Sequence, residues 1–300
     1  MALPIKINLP KPFFSREIRD GYEVSEKAKK IWAIQLDLLE ELKRVCLKHK
    51  IEFQVCAGTL LGTIRHGGFI PWDDDFDVCM TRANINRLID LEGEFLHPYF
   101  LQTPLNDRGH VTLLTRLRNS ETTAAITGSD TEDYNNGIYI DIFALDGLAK
   151  SKWKCALQYL LKRIIVRLWI LRGRSRPQRR SLCKTVIDCM LKPLSLLLSY
   201  EQWYRLYLRV LSLWTGSSDQ LAYLNTMSWG GRNMWMEKKE ISETITMRFE
   251  CTDVPVAKCY DSILSRQYGD YMKFPPVEER GRWHDGKVVF DPDTPYREFL

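Results

Sequence analysis

Three hundred residues, 45% hydrophobic and 27% charged, hold one large domain or two small ones, with enough core to fold without disulfide or metal staples. The formal charge of +5 is unevenly spread. Between Lys150 and Val210 fifteen Lys/Arg face two Asp/Glu, a local +13, so the remaining residues carry −8. No apolar run is long enough to be read as a transmembrane helix, and the opening MALPIKINLPKPFF lacks the apolar core of a signal peptide. Eight Cys, none in CxxC spacing and none clustered with His, argue for reduced thiols and against zinc, so a cytoplasmic location is expected.

In chain order, residues 1–22 are rich in Pro and charge and read as extended. Residues 25–49 place Ile31, Ile34, Leu38, Leu42 and Val45 on one face and predict an amphipathic helix. Ile51 to Ala57 reads as a buried strand. Leu60 to Arg65 reads as a short helix broken by Gly67-Gly68, and Asp75 to Met80 as a second strand. Thr81 is placed to cap a helix running to about Phe95. Tyr99 to Gln102 and Val111 to Arg118 read as strands, followed by a polar loop to Asn136. In Gly137 to Leu145, Ile138, Ile140 and Ile142 alternate with Tyr139, Asp141 and Phe143, a third strand.

Lys150 to Trp214 reads as helical and basic. Leu157, Leu160, Leu161, Ile164 and Leu168 form one apolar stripe with Arg163 and Arg167 opposite, and residues 172–180 make a basic linker. The stripe suits either a helical subdomain packed on the rest of the chain or a surface that meets anionic membrane or an anionic glycan carrier. No nucleic-acid motif accompanies the basic run, so nucleic acid is not expected as a partner. Trp229 to Arg232 reads as a loop and Thr244 to Glu250 as a strand. Pro255 is expected to start a helix with Cys259, Ile263 and Tyr268 inward, ended by Gly269.

The chemistry concentrates in AGTLLGTIRHGGFIPWDDDFDVCM, Ala57 to Met80. Asp73, Asp74, Asp75 and Asp77 fall within five residues, and like charges that close need solvation or a shared cation. Alternation with Phe76 and Val78 puts Asp75 and Asp77 on one strand face, a hard-oxygen pair suited to Mg²⁺ or Mn²⁺. Upstream, Gly58-Thr59 opens a helix, where a glycine lets phosphate approach backbone N–H groups. Together these are the parts needed for phosphoryl transfer from a nucleotide.

Gly-Thr, an Asp-apolar-Asp segment and a later strand carboxylate, here Asp141, resemble the nucleotidyltransferase fold of the polymerase-β type. The string GTLLGTIRHGGFIPWDDDFD is similar to the LicD family, whose eukaryotic relatives include the fukutin-related proteins. The segment RFECTDVPVAKCYDSILSRQYGDYMKFPPVEER, followed by His284, resembles that family's C-terminal part. The resemblance covers roughly residues 31–145 and 245–285. It implies an α/β (α+β) fold, a nucleotidyltransferase-like mixed sheet flanked by helices. The expected division is a catalytic core at 23–149, a basic helical insertion at 150–216 and a C-terminal part at 217–300 that completes the catalytic domain.

The resemblance also implies Mg²⁺-dependent transfer of a phospho-alcohol group, phosphocholine by default, from a CDP-alcohol donor. The acceptor would be a glycan or lipid-linked saccharide, met at the cytoplasmic membrane face. Asp75, Asp77 and Asp141 are the expected metal-binding and catalytic carboxylates, with Asp73 and Asp74 supporting them. A lone strand Asp such as Asp141 also fits a bonded structural acid. Gly58, Thr59, Arg65, Arg116 and His284 are the candidate phosphate and substrate contacts. Arg65 alternatively pairs with the aspartates, one of Arg116 and Arg118 is structural, and His284 fits packing as well as chemistry. Transfer of ribitol phosphate, true nucleotidyl transfer and a metal-binding, membrane-associated scaffold are the alternatives.

Overall fold

The computed structural model describes residues 3–108, 113–126, 134–173, 182–225, 234–281 and 288–299. The first segment is more ordered than its Pro content suggests. Strands β1 (Glu17–Arg19) and β2 (Tyr22–Val24) form a hairpin, with Arg19 opposite Tyr22. Asp20 and Gly21 between them both have positive φ, 51° and 73°, the backbone that a tight hairpin turn demands and that Asp-Gly supplies.

Helix α1 (Glu26–His49) follows, its N-terminus capped by the Ser25 hydroxyl, which accepts from the Ala28 N–H at 3.2 Å. The expected stripe Ile31, Ile34, Leu38, Leu42 and Val45 is buried, each side chain contributing about 1.5–3 kcal/mol. Strand β3 (Gln54–Val55) is shorter than expected and helix α2 (Ala57–His66) longer, closed by Gly67 in the left-handed region at φ 64°. Strand β4 (Asp77–Thr81) starts two residues late, which leaves Asp75 just outside it. Thr81 caps α3 (Arg82–Ile89) as expected, accepting from the Asn84 N–H. That helix ends six residues short of Phe95, in a turn of 3-10 helix at Glu92–Glu94.

Strands β5 (Tyr99–Gln102), β6 (Thr115–Asn119), β7 (Thr123–Ile126) and β8 (Ile138–Gly147) come next. β7 corrects the expected polar loop. It pairs with a strand near the C-terminus, a partner too distant for local pattern to reveal. Helices α4 (Lys152–Gly173), α5 (Leu182–Ser195) and α6 (Tyr200–Ser212) lead to β9 (Gln220–Ala222), β10 (Trp235–Glu237), β11 (Thr244–Phe249) and β12 (Thr252–Ala257). Pro255 lies inside β12 opposite Thr246 and starts no helix. β11 and β12 form a two-stranded ribbon, where a proline's missing N–H can face an open edge. Helix α7 (Tyr260–Tyr268) begins five residues later and ends at Gly269, and β13 (Val288–Asp291) pairs with β7.

The main sheet is mixed, in the order β10-β9-β8-β4-β3, with β6 also on β8 and β5 outside β6. β4 and β8 run parallel and set Asp77 opposite Asp141, while β6 runs antiparallel to β8 and sets Arg116 opposite the same Asp141. α1 and the aromatic group Trp32, Phe69, Phe76 and Phe249 fill the core beneath, with ring centroids 4.7–5.9 Å apart.

The three helices form a second apolar cluster in which Ile165, Leu168 and Trp169 of α4 meet Trp203, Tyr204, Tyr207 and Leu211 of α6. The stripe read from the sequence is therefore split. Leu168 is buried, but Leu157, Leu160 and Ile164 face outward. α4 is apolar on two sides, and the aromatic surface of α6 takes the Ile165–Trp169 side.

Candidate active site

The acidic run leaves a turn that is fastened on three sides. Gly68 passes so close to Glu250 that a Cβ on it would lie 2.1 Å from Oε1. Glu250 also accepts from the Phe69 N–H at 3.1 Å and from the Arg19 guanidinium at 2.5 and 3.2 Å. From beneath, the Gln35 amide donates to the Asp74 carbonyl at 2.7 Å. The Asp73 carboxylate accepts from the Asp74 N–H at 3.1 Å. With the backbone held this way, carboxylate oxygens of Asp73, Asp74 and Asp75 lie within 4.8 Å of one another.

Asp77 enters from β4. Its N–H donates to the Thr59 hydroxyl at 2.7 Å, and its carbonyl accepts from the Cys56 N–H at 3.1 Å. The start of α2 is thereby locked to the start of β4. Ala57 pays for this junction with a φ of 48°, a region that costs a non-glycine residue on the order of 1 kcal/mol. Phe76, although outside the strand, still accepts from the Asp141 N–H at 2.9 Å. Asp75, Asp77 and Asp141 thus stay in one neighbourhood despite the late strand start.

Burial raises the Asp77 carboxyl well above the ordinary carboxylate range, and Asp75, Asp141 and Asp73 push it the same way, with Arg116 opposing. Among the described residues, Arg116 brings a guanidinium to the acids, bonded to Asp141 at 2.6 Å and lying 3.8 Å over the Tyr139 ring. Burial works against its charge, but Asp141 and Tyr139 more than compensate, and the net shift is upward. Arg118, two residues on, donates instead to Gln102 and to the Gly137 carbonyl, both at 2.5 Å. Of the two arginines, Arg118 is the structural one.

Gly58 is the closest backbone to the acids. A Cβ there would meet Asp73 Oδ2 at 2.7 Å and Asp77 Oδ2 at 4.0 Å. The glycine thus admits Asp73 to the helix start. Arg65, at the other end of α2, donates to the carbonyls of Tyr271 and Lys273 and stacks 5.1 Å from the Phe274 ring. It braces the C-terminal segment and does not pair with the aspartates. Tyr268, last residue of α7, sits close enough that Asp77 and Asp73 add to the upward shift burial gives its hydroxyl. His284 and the Trp229–Arg232 segment lie outside the described residues.

The donor set is all oxygen and strongly anionic, which fits a hard divalent cation such as Mg²⁺ or Mn²⁺. Its residues fall inside one match. Residues 50–159 fit the family described as LicD/FKTN/FKRP, nucleotidyltransferase domain. That stretch is similar to the LicD family. The chain is also 27% identical over 254 residues to the lipopolysaccharide cholinephosphotransferase LicD of Haemophilus influenzae, covering 83% of this chain and 92% of that one. An uncharacterized protein of Rickettsia typhi shares 40% over 58 residues, 19% of this chain and 18% of its own.

The sequence alone gave no role to three features that shape the site. They are the Thr59 hydroxyl under Asp77, the Tyr139 ring under Arg116, and the Arg19–Glu250 clamp behind Gly68. Tyr139 carried a usable signal, since it alternates with Asp141's neighbours on β8. The clamp joins residues 231 positions apart and has no local signature.

Proposed function

We propose that this chain transfers a phospho-alcohol group, phosphocholine by preference, from a CDP-alcohol to a hydroxyl of a cell-surface glycan or glycolipid. The observation that supports this reading is the cluster of Asp73, Asp74 and Asp75 beside Asp77, which Asp75, Asp141 and Asp73 all repel, with Arg116 paired to Asp141, in a stretch similar to the LicD family. The choice of alcohol rests on the name of the Haemophilus influenzae relative. An enzyme of this kind would meet a lipid-linked acceptor at the cytoplasmic membrane face.

In the reaction, the acceptor oxygen attacks the phosphorus that bears the alcohol. The bond from that phosphorus to the bridging oxygen breaks, and CMP leaves with the electron pair. The acceptor's proton goes to a site carboxylate or to water. Asp75, Asp77 and Asp141 would hold Mg²⁺ or Mn²⁺, with Asp73 and Asp74 beside them. A bound cation would offset the charge that develops on the departing phosphate. Protonating Asp141 would break its pair with Arg116, which favours a charge-holding role for it. Arg116, whose fork donates to Asp141, would be the candidate contact for a donor phosphate. Gly58, at the start of α2, leaves room for the Asp73 carboxylate, and the Thr59 hydroxyl holds the Asp77 backbone beside it.

The test is CMP release from CDP-choline, CDP-ribitol and related donors with Mg²⁺ and with EDTA, for the wild type and Asp75→Asn. Metal-dependent CMP release lost in the variant supports phospho-alcohol transfer and names the alcohol. The domain's description favours one rival, nucleotidyl transfer. Pyrophosphate release from a nucleoside triphosphate, with no CMP from any CDP-alcohol, would establish that rival instead.

A further inference from the structure

Helices α4 and α5 turn apolar side chains to solvent. On α4, Trp153, Leu157, Leu160 and Ile164 recur at the spacing of one helical face and are all exposed, Trp153 by 65%. On α5, Ile187, Met190 and Leu194 are exposed, Met190 by 75%. The two helices are tied to each other by the Arg167–Asp188 pair and by Lys192 donating to the Leu171 carbonyl. The inward side of α4 is already satisfied by α6. An apolar surface spread over two joined helices exceeds the scattered exposure normal for a soluble chain.

Charge decides what covers it. The surrounding segment, Lys150 to Val210, holds fifteen Lys/Arg and only Asp188 and Glu201 as acids. Both acids are engaged, by Arg167 and by Arg108. Lys152 and Arg163 are exposed beside the α4 row. A second copy of this chain would bring the same cationic excess to the contact, and like fields repel. A neutral apolar partner would leave the excess unmatched. No helix among the described residues is long and apolar enough to cross a membrane.

We propose that the α4–α5 face lies in the surface of an anionic lipid bilayer, with Trp153, Leu160 and Ile187 at the acyl boundary and the Lys/Arg side chains among head-group phosphates. The helices lie in the plane of the interface and do not span it. Binding is separate from the reaction, so it stands or falls on its own evidence.

The experiment is flotation of the full chain with phosphatidylcholine vesicles, with and without phosphatidylglycerol, at low and high salt. Leu160→Glu combined with Ile187→Glu is the matched variant. Both side chains are exposed, so folding, checked by circular dichroism and melting temperature, should not change. The expected result is flotation with the anionic vesicles only, weakened by salt, and at least about tenfold weaker in the variant. Wild-type protein that stays with the soluble fraction at low salt would overturn the proposal. So would a variant that floats as well as the wild type. Light scattering that finds a lipid-free dimer which the variant dissociates would assign the face to a second copy instead.

Discussion

Gly58 and Asp73 are in such close approach that a single methyl group on the glycine would sit 2.7 Å from the aspartate's Oδ2. The contact is with a side chain that can rotate, so Gly58→Ala should fold. Asp73 would swing out of the cluster, and Mg²⁺ affinity, measured by calorimetry, should fall about tenfold or more. Gly93→Ala, where nothing lies within 4 Å of the added group, is the neutral control. Equal metal binding by Gly58→Ala and wild type would show that Asp73 takes no part.

Arg116 supplies the guanidinium among the clustered acids, and Asp141 is its partner at 2.6 Å. Arg116→Met takes from Asp141, beside Asp77, its guanidinium partner. Removing one partner of a buried pair costs about 3–5 kcal/mol, to be read from urea unfolding. Added Mg²⁺ should restore more stability to this variant than to the wild type, because a cation then replaces the lost charge. An Arg116→Met protein as stable as the wild type without metal would mean the pair contributes nothing.

Asp77 is repelled by Asp75, Asp141 and Asp73. Asp77→Asn keeps the shape and removes a charge. In EDTA the variant should melt a few degrees higher than the wild type, about what 1 kcal/mol gives at this size. It should also lose the stabilisation that Mg²⁺ confers on the wild type. A variant that melts lower in EDTA and still responds to Mg²⁺ would place the metal elsewhere.

His66 links the site to pH. Its side chain is buried, stacked 5.5 Å from Phe274 and set edge-on to Trp72 at 5.8 Å. Burial, helped by nearby Arg65, lowers its pKa to about 4. In the unfolded chain it titrates near 6.5, so the unfolded state binds the proton first as pH falls. The stability owed to neutral His66 is complete above about pH 6.5 and lost as pH falls toward 4. Wild type should lose on the order of 2 kcal/mol across that window relative to His66→Gln, measured by urea unfolding at each pH. Parallel curves would contradict the assignment.

Legibility followed locality. The α1 stripe, the Thr81 cap and the Gly269 stop are encoded within a few residues and are where periodicity and capping chemistry put them. The alternation around Asp77 and Asp141 also holds, because both strands are central and buried. What failed depended on distant partners. Leu157 and Leu160 face outward because α4 has two apolar faces, and period alone cannot say which one α6 covers. Arg116 and Arg118 share a face, and only the neighbouring strand and loop decide that one meets Asp141 and the other Gln102. Asp20-Gly21 is different. Its hairpin signal was present in the sequence and lay inside a segment read as extended.

The parallel pairing of β4 with β8 also orders events in time. A ribosome delivers Asp73 to Asp77 first, then Arg116, then Asp141, and Tyr268 after them. The neutralising guanidinium is thus made before the fifth carboxylate, so the growing chain is spared the worst crowding of charge. The finished centre nevertheless waits for α7 and for β13, which closes on β7. A nascent chain, or one cut short before Tyr268, carries the acids without the helix and strand that later pack around them.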